Sequence, residues 1–426
     1  MFECARRIYN ACLGEAKKRL NLIRQSKSYQ YTVKLNRTTH KQERTQRFDQ
    51  LNQVHGFSEY ALHGYAKQFG KCWIGEHVGS HIGQKMASRA FNAVQRVAFG
   101  KAKCVKFKPK DSLVSIEGKN NVSDITFDGT SMTVHVGFKK KGLNLPVMLK
   151  PKDEYAHEAL NRDVAYCRIV RKTIRGRQRY YLQLILKGTP PKKIKKEDVV
   201  DETVGLDIGP STIAIASNTG THFDNFCPEL DELVQEQRRL QRSMDRKQRA
   251  SNPDNYNSDG TIKKRNRKPW VRSNNYQRTR MQYLELKRKV AAKRQQAHNQ
   301  LITVLITQYG THVRTENVCY KAFQRRFGKS VGRRAPGMFI ERLKWKLTIY
   351  GGSLLEFSTY STKCSQYCHV CGTYTKKPLS QRVHTCCNLN INRDLYSAFL
   401  ARNVKDDKIH QEMCDENWPR FLELAN

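Results

Sequence analysis

The sequence predicts a multidomain α/β protein with a helical N-terminal segment, a β-rich middle segment and a C-terminal α/β domain. Apolar residues recur at helical spacing in residues 1–100, and short β-branched runs separated by turn residues follow in residues 101–200. A strand-turn-strand-turn-strand pattern then begins near residue 203. A chain of 426 residues is long enough for two to four domains.

Residues 1–100 have the spacing of amphipathic helices. Ile8, Cys12 and Leu20 fall on one helical face, and charged residues fill most of the other positions. The opening MFECARRIYNACLGEAKKRL has no uninterrupted apolar stretch, so it predicts a helix rather than a secretory signal.

Residues 101–200 change to strand-like runs. SMTVHVGF, YCRIVRKTI and RYYLQLIL are rich in β-branched and aromatic residues, and Gly, Asn, Asp and Pro separate them. These runs predict a β-barrel or a small sheet. The stretch GTPPKKIKKEDVVDE, which contains Pro and Lys, then predicts a linker.

The remaining chain alternates strands and helices. TVGLDIGPSTIAIASNTGTHFDNF predicts three strands with turns between them, and a basic helical section follows. HVRTENV and SLLEFS predict further strands, separated by a helix in MFIERLKWKLTIYG. A cysteine-rich segment at 364–388 precedes a helix in RDLYSAFLARNV and a tail to residue 426.

The charge balance predicts a polyanionic partner. Lys and Arg total 78 against 38 Asp and Glu, for a net charge of +40. Self-repulsion on this scale disfavours a compact free protein, and the phosphates of nucleic acid would neutralise it. An anionic membrane is the alternative, but no apolar run approaches the roughly 20 residues that span a bilayer. We therefore expect nucleic-acid binding and no membrane association.

The cysteine-rich segment predicts a structural metal site. Thirteen cysteines in a chain without secretory features favour reduced thiols over a disulfide framework. Cys368 and Cys371 form a C-x2-C pair followed by Gly372, and Cys386 and Cys387 lie at a usual zinc-ribbon distance. These four cysteines are the predicted ligands of one Zn²⁺.

Adjacent residues of a strand point to opposite faces, so the neighbouring positions of Cys386 and Cys387 leave the ligand set open. His384, which forms an H-x2-C pair with Cys387, is the reserve ligand. Cys364 and His369 are interpreted as lying outside the site. Four protein ligands leave no open position for water, which predicts a structural ion. Cysteines without a metal are the alternative.

Three acids are candidate catalytic residues. Asp207 ends a strand-like run, Glu316 ends another, and Asp394 opens a helix. Each has an ordinary explanation alone, as a turn residue or as a helix N-cap. Together they could meet at one edge of a sheet, where their mutual repulsion would favour cation binding. Two Mg²⁺ ions about 4 Å apart, acting on a phosphodiester, would fit such a set.

The motifs GLDIGPSTIAIAS, RTEN, TKCSQYCHVCG and RVHTCCNLNINRDLYSAFLARN resemble the C-terminal half of the TnpB family. These are transposon-encoded RNA-guided nucleases related to compact type V CRISPR effectors. The resemblance covers about residues 204–403. It implies that Asp207, Glu316 and Asp394 are catalytic carboxylates that bind two Mg²⁺ ions in an RNase H-like RuvC domain, and that the four cysteines form a zinc ribbon.

The resemblance also implies a domain order and a function. Residues 1–100 would form a helical recognition lobe, 101–200 a β-barrel wedge domain and linker, and 201–363 a RuvC-like nuclease domain with a basic insertion. Residues 364–388 would form the zinc ribbon, and 389–426 the last RuvC helix and the tail. The implied function is RNA-guided, Mg²⁺-dependent cleavage of double-stranded target DNA by a prokaryotic cytoplasmic, nucleoid-associated enzyme.

The chain departs from the family pattern at two places. The second cysteine pair of the family normally has residues between its members, whereas Cys386 and Cys387 are adjacent. The family normally opens with a strand, whereas this chain opens in a predicted helix.

The basic helical section is the expected nucleic-acid contact surface. An RNA-guided enzyme holds its heteroduplex through the backbone, and aromatic residues can stack on bases. Tyr276 and Tyr283 could stack in this way or could belong to the core. The predicted contact residues are Arg238, Arg239, Arg242, Arg246, Lys247, Lys264, Arg265, Arg267 and Trp270.

Two other functions remain open at this point. The chain could be an RNA-guided DNA-binding protein whose nuclease is silent, although three intact acids speak against that. It could also be an RNA-free zinc-ribbon protein that binds DNA in transposition. The sequence does not indicate an oligomeric state.

Overall fold

The computed structural model describes residues 1–137, 142–264, 268–378 and 380–425. The chain divides into two units, Met1–Pro191 and Lys192–Asn426. No helix in the described part of the chain is both long enough and apolar enough to cross a membrane.

The first unit begins with a helical layer whose core is the contact between its first and fifth helices. Ile8, Cys12 and Leu13 of the first helix are buried in the same apolar cluster as Ile82 and Met86 of the fifth. Residues 2–98 are therefore mainly helical, as the spacing predicts. The helices of this unit are α1 (Phe2–Gln25), α2 (Lys27–Lys34), α3 (Lys41–Val54), α4 (Glu59–Lys67), α5 (Ser80–Ala98) and α6 (Glu154–Leu160), with 3₁₀ turns at Gln68–Lys71 and Trp73–Glu76.

The strands of the first unit form two small sheets. They are β1 (Ser115–Glu117), β2 (Ile125–Asp128), β3 (Thr133–Val136), β4 (Leu143–Pro146), β5 (Val164–Ile174) and β6 (Arg177–Leu186). One sheet has the order β1-β5-β6 and the other β2-β3-β4, with antiparallel pairing throughout.

The predicted β-barrel is wrong for the described residues, because neither sheet closes. A barrel requires every edge strand to be paired around a closed ring. Here the strands of the second sheet have four residues each, and only the β5–β6 hairpin is long. Strand propensity predicts such strands correctly but does not determine whether distant edges pair.

The second unit alternates strands and helices around one larger sheet. Its strands are β7 (Thr203–Ile208), β8 (Thr212–Ala216), β9 (Thr221–Asn225), β10 (His312–Glu316), β11 (Ser353–Phe357), β12 (Val383–Cys386), β13 (Leu389–Asn392), β14 (Val404–Lys405) and β15 (Lys408–Ile409). Its helices are α7 (Glu232–Ala250), α8 (Asn274–Val304), α9 (Tyr320–Arg334), α10 (Pro336–Ile349), α11 (Thr359–Thr362), α12 (Arg393–Arg402) and α13 (Gln411–Ala425).

The larger sheet has the strand order β11-β10-β7-β8-β9. The strands β7, β8 and β9 form an antiparallel meander, whereas β10 and β11 run parallel to β7. One face carries Val204, Leu206 and Ile215, which pack with residues of α8 and α10. The opposite face carries Ala214 and Ala216, which pack against α12.

Helix α12 makes its closest approach to the sheet at Gly205. A Cβ atom at this position would lie 1.8 Å from the carbonyl oxygen of Ala398, so only glycine permits the contact. Further along, the Arg402 Nε donates to the Thr203 carbonyl oxygen at 3.2 Å, so the helix runs antiparallel to β7. Two strand residues and four helix residues each advance by about 6 Å. The contact at Gly205 and Ala398 therefore places Asp207 opposite Asp394.

A buried histidine lies on the other side of the sheet. The His298 ring is stacked on Phe226 at 5.6 Å between centroids and lies edge-on to Phe339. Its Nε2 donates to the Arg334 carbonyl oxygen at 2.8 Å, and its Nδ1 is buried without a hydrogen-bond partner among the residues that the structure describes. Burial lowers the pKa of His298 to about 4, so the ring is neutral at neutral pH.

We expect His298 to make the stability of this unit depend on pH. The unfolded chain takes up a proton at this residue near pH 6.5, whereas the folded chain does so near pH 4. The unfolded state binds more protons in that window, so stability decreases as pH falls, by up to about 3 kcal/mol. Urea unfolding between pH 7.5 and 4.5 measures this. A His298→Phe variant should show a shallower pH dependence, and an unchanged slope would contradict the assignment.

Candidate active site and metal centre

Two of the candidate acids lie side by side at the carboxyl ends of parallel strands. Thr315 pairs with Leu206 in the last register position between β10 and β7, and the Thr315 hydroxyl donates to the Leu206 carbonyl oxygen at 2.8 Å. Asp207 and Glu316 are the next residues of their strands. Because neighbours in register point to the same face, both acids lie on the face that packs against α12.

The third acid comes from the first turn of α12. The Asn392 side chain caps this helix by accepting hydrogen bonds from the backbone N–H groups of Asp394 and Leu395, at 2.9 and 3.1 Å. Asn392 therefore does what an N-cap residue does, and the carboxylate of Asp394 is not needed as a cap. It instead accepts a hydrogen bond from the Thr212 hydroxyl at 3.3 Å. Thr212 begins β8, next to the strand that carries Asp207.

The three acids interact electrostatically. Burial raises the pKa of Asp207 well above its usual value, and the negative charges of Glu316 and Asp394 raise it further. Arg393 lowers it. Burial also raises the pKa of Glu316, while hydrogen bonds from Cys364 oppose that rise. The structure thus brings together the three acids that the sequence singles out, in an environment that penalises uncompensated negative charge.

Sequence reasoning missed two residues that surround these acids. Cys364, with 1% of its surface exposed, offers its thiol and backbone N–H to Glu316. The pKa of Tyr320, at the start of α9, is raised by burial and then by the charges of Asp207, Glu356 and Glu316. The sequence indicates only that Cys364 lies outside the zinc site, and nothing in the sequence pattern indicates a role for Tyr320.

The spacing of the acids bears on how many cations they could hold. Among the described residues, one group of three or more Cys, His, Asp or Glu could hold a metal ion, and it consists of four cysteines whose ligand atoms all lie within 4.8 Å of one another. The three acids do not form such a group. Ligands at the two ends of an ion pair about 4 Å apart can be separated by about 8 Å, since each lies about 2 Å from its ion. Carboxylates that interact without forming a tight group are compatible with a pair of hard cations.

The cysteine group is formed by Cys368, Cys371, Cys386 and Cys387, which could hold a metal ion. Cys368 and Cys371 lie on a tight turn in which the Gly372 N–H donates to the Cys368 carbonyl oxygen at 2.9 Å. Gly372 has a φ of 67°, which glycine adopts without strain. Four thiolates are the donor set of a tetrahedral structural Zn²⁺.

A two-residue hairpin resolves the difficulty of the adjacent cysteines. Cys386 is the last residue of β12 and pairs with Leu389 at the start of β13. Cys387 and Asn388 form the turn between them, with φ of 50° and 64°. Two positive φ values are typical of the type I′ turn. Because Cys387 lies in the turn and not in the strand, its thiol is not directed away from that of Cys386.

The reserve ligand is not part of this group. The His384 ring packs on Tyr396, at 4.4 Å between centroids, and its Nδ1 contacts the Lys377 amine. His369 is likewise outside the group, with its Nδ1 2.7 Å from the Tyr396 hydroxyl. Both histidines therefore pack against α12 beside the cysteines.

The predicted nucleic-acid contacts lie on α7 and in the loop that follows it. Arg238, Arg239, Arg242 and Arg246 are exposed on α7, and Lys264 is exposed in the loop. Lys247 is different, because its amine donates to the Thr279 hydroxyl at 2.5 Å and so joins α7 to α8. Arg265 and Arg267 lie outside the described residues.

The aromatic residues that are candidates for base stacking differ in how deeply they are buried. Tyr276 is buried in the structure, which favours the core alternative for this residue. Tyr283 accepts a hydrogen bond from Gln241 at 3.0 Å. Trp270, 36% exposed, lies edge-on to Tyr256 at 5.8 Å between centroids. Trp270 keeps an accessible surface, while Tyr276 belongs to the core.

A groove between α7, α8 and α9 concentrates basic residues. Its volume is about 530 Å³, and Val234, Val290 and Ala291 are among its apolar lining residues. Its basic lining residues are Arg238, Lys287, Arg294, Lys329 and Arg333. No acidic residue of the described chain lines it. A groove lined by apolar and cationic residues is chemically suited to a nucleotide, which has an apolar base and a charged phosphate.

Comparison with known proteins gives a local match and a likeness of fold. Residues 337–400 match the family model described as Cas12f1-like, TNB domain. A cryo-EM structure of a Cas12f1–sgRNA–target DNA complex aligns with 92% of this chain and 80% of that chain, with a TM-score of 0.52 and 11% identity. The fold is similar to that of Cas12f1.

A second cryo-EM structure, of a CRISPR–Cas12f ternary complex, aligns with a TM-score of 0.34 and 13% identity over 95% of this chain and 81% of that chain. No curated protein matches the chain. The segment that matches the TNB domain, residues 337–400, contains all four clustered cysteines and Asp394.

Proposed function

We propose that this protein is an RNA-guided DNA endonuclease that hydrolyses target DNA at a single RuvC-like site. One observation carries the proposal: Asp207, Glu316 and Asp394 come together beside one face of a sheet in which two parallel strands extend an antiparallel meander. The net charge of +40 and the likeness in fold to Cas12f1 support it. That Cas12f1 complex contains sgRNA and target DNA, and we propose guide RNA and double-stranded target DNA as the partners of this chain.

The acids provide the chemistry through the cations that they hold. Bound Mg²⁺ ions would lower the pKa of a water molecule and neutralise charge on the phosphodiester. In the hydrolysis, the water oxygen forms a bond to phosphorus while the bond to one ester oxygen breaks and that oxygen gains a proton. Asp207 and Glu316 would provide oxygen ligands to the cations from the strands, and Asp394 would provide them from the helix. Arg393 would limit the repulsion between the acids before substrate binds.

The four thiolates would have a structural role. A Zn²⁺ with four protein ligands has no open position for water or substrate. The hairpin that carries Cys386 and Cys387 leads through β13 directly into α12. Zinc would therefore determine where Asp394 lies relative to the sheet, without taking part in the reaction.

The rest of the chain would hold nucleic acid. The exposed arginines of α7 and the basic groove beside them are suited to contacts with phosphates, which carry no sequence information. The helical residues 1–100 would then correspond to a recognition lobe and the open sheets of residues 101–200 to a wedge domain. Among proteins of this fold, the sequence motifs favour the transposon-encoded TnpB family. The protein would then be a prokaryotic cytoplasmic enzyme associated with the nucleoid.

Purification from its host, together with sequencing of the RNA that co-purifies, tests this function. We expect one discrete RNA species, because a guided enzyme retains its guide. The complex should then cut a plasmid that carries the matching sequence, only when Mg²⁺ is present. Absence of a discrete RNA would favour an RNA-free DNA-binding protein, and tight guided binding without cleavage would favour a silent nuclease. Either result would contradict the proposal.

A further inference from the structure

Two of the five basic residues in the groove between α7, α8 and α9 hold its walls together. The Arg333 Nη1 pairs with the Asp231 carboxylate, just before α7, at 2.5 Å. The Arg294 Nη1 of α8 donates to the carbonyl oxygens of Arg333 and Gly332 at 3.0 and 3.4 Å. These two arginines connect the end of α9 to the other two helices, so their charges are already committed to protein partners.

The other three basic lining residues have no such partner. Arg238 of α7, Lys287 of α8 and Lys329 of α9 are exposed, and none of them makes an ion pair within the part of the chain that the structure describes. Each helix contributes one of them, so three positive charges surround one concave surface. Like charges at close range repel one another, and a bound anion reverses that penalty. This arrangement indicates an anionic ligand.

Gly332 provides an independent observation at the same groove. It lines the groove from within α9, where glycine is a less stable choice than alanine or leucine. A Cβ atom at this position would meet no atom within 4 Å, and its φ is not positive. Neither packing nor backbone conformation therefore requires this glycine. A ligand that approaches the helix backbone closely would require it.

The size and chemistry of the groove match one nucleotide. Its volume of about 530 Å³ falls in the range of small-ligand pockets. Val234 and Val290 offer apolar surface to a base, and the Gln237 amide offers a donor and an acceptor to the edge of the base. A base inside a duplex is stacked and paired, so it cannot enter. The ligand is therefore an unstacked nucleotide.

The position of the groove determines which strand it suits. Asp207 and Glu316 lie on the face of the sheet that packs against α12, whereas the opposite face packs with α8. Arg294 lies one turn before His298, whose ring stacks on Phe226 in that opposite layer. A strand in the groove is therefore held on the side of the sheet away from the acids. That position suits a strand that is retained and not cut.

We propose that this groove binds one unpaired nucleotide of the guide RNA, with its phosphate among Arg238, Lys287 and Lys329 and its base against Val234 and Val290. This proposal rests on the proposed RNA-guided function. The pairing part of a guide is stacked in the heteroduplex, so the bound nucleotide belongs to the part that does not pair with DNA. The groove would thus anchor the guide whatever the target sequence is.

Salt dependence tests the phosphate contact. Dissociation constants for the RNA that co-purifies with the protein are measured by filter binding from 0.1 to 0.5 M salt. Lys287→Ala and Lys329→Ala should each weaken binding about three- to ten-fold and reduce the log–log salt slope by about 0.7, which is the loss of one phosphate contact on a single strand. Lys289→Ala, an exposed change on α8 outside the groove, is the matched control. An equal effect of Lys289→Ala would overturn the site.

A pair of glycine variants tests the space for the base. Gly332→Leu places a side chain in the groove, whereas Gly328→Leu, on the same helix, does not line it. Both variants should keep or raise the melting temperature, by up to about 2 °C, because leucine favours helix more than glycine does. Only Gly332→Leu should weaken RNA binding, by about ten-fold. Weaker binding by a protein of undiminished stability cannot arise from misfolding, and equal RNA affinity of the two variants would overturn the proposal.

Crosslinking identifies the strand. The parent complex is assembled with RNA containing 4-thiouridine, or with target DNA containing 4-thiothymidine, and irradiated before mass spectrometry. We expect peptides from residues 234–241 or 329–333 to crosslink to RNA, whereas crosslinks to DNA alone would overturn the assignment to the guide. If no discrete RNA co-purifies, the proposed function fails. A 20-nucleotide single-stranded RNA then replaces the guide, and the two glycine variants still decide whether the groove holds a nucleotide.

Discussion

Replacement of Asp207 by asparagine should abolish guided DNA cleavage, with a loss of roughly 10³-fold or more. The change removes one negative charge from a set of three and leaves the shape of the side chain almost unchanged. Cations would then be held less tightly, and their position relative to the phosphodiester would be lost. Glu316→Gln and Asp394→Asn should have effects of similar size. Initial rates on a matched plasmid, measured over a range of Mg²⁺ concentrations, provide the measurement.

The same substitution should stabilise the protein when cations are absent. Asp207 lies in a buried environment beside two other negative charges, which is unfavourable for its ionised form. Removing its charge should therefore raise the melting temperature of the zinc-loaded protein measured without added Mg²⁺ and weaken the stabilisation by added Mg²⁺. Asp224→Asn, at an exposed position of the same sheet, is the control and should change neither property. An Asp207→Asn variant that cuts as fast as the parent would refute the proposed mechanism.

Loss of the zinc ligands should have the second large effect. We expect Cys386→Ser and Cys387→Ser each to reduce bound zinc well below one ion per chain and to lower the cleavage rate by more than about 10²-fold. Structural zinc contributes on the order of 10 kcal/mol to the folding of small zinc modules, so residues 364–388 should lose their order. Asp394 would then be displaced, because β13 connects the cysteine hairpin to α12. Elemental analysis measures the bound zinc, and limited proteolysis measures the loss of order in residues 364–388.

Two further variants make the result specific. His384→Asn should keep one zinc per chain, since His384 is not part of the cysteine group. Cys104→Ser, an exposed cysteine outside the group, should keep both zinc and activity. A zinc-free Cys386→Ser protein that still cuts DNA would show that the metal does not position Asp394.

The sequence predicts the elements around the candidate active site better than their tertiary relations. The β7–β9 meander, the strands that carry Glu316 and Phe357, and the helix that carries Asp394 follow from hydrophobic spacing and turn residues. Asn392 and Asp394 are both acceptable N-cap residues, however, and spacing alone does not decide between them. The structure shows that Asn392 caps the helix, which leaves Asp394 available to the site.

Other features depend on contacts between distant parts of the chain. Whether the β-rich segment closes depends on pairing between strand edges, which local propensity does not encode. The thiol of Cys364 reaches Glu316 because β10 and β11 pair in parallel. This pairing places the segment that follows β11 beside the carboxyl end of β10. Cysteine is also an unusual choice for a positive φ, so the turn at Cys387 was not evident from residue type.

The two-residue turn at Cys387 and Asn388 limits which insertions and deletions related chains could accept. From that turn to Asp394, each residue is committed to the turn, to β13 or to the start of α12. One added or deleted residue there would reverse the faces of β13 and rotate the acid away from the sheet. Between Cys371 and Arg382, the described residues are mostly exposed and outside regular elements, so length could vary there at little cost. We therefore expect length variation among homologues to be confined to the interval between Cys371 and Arg382, with the interval from Cys387 to Asp394 constant.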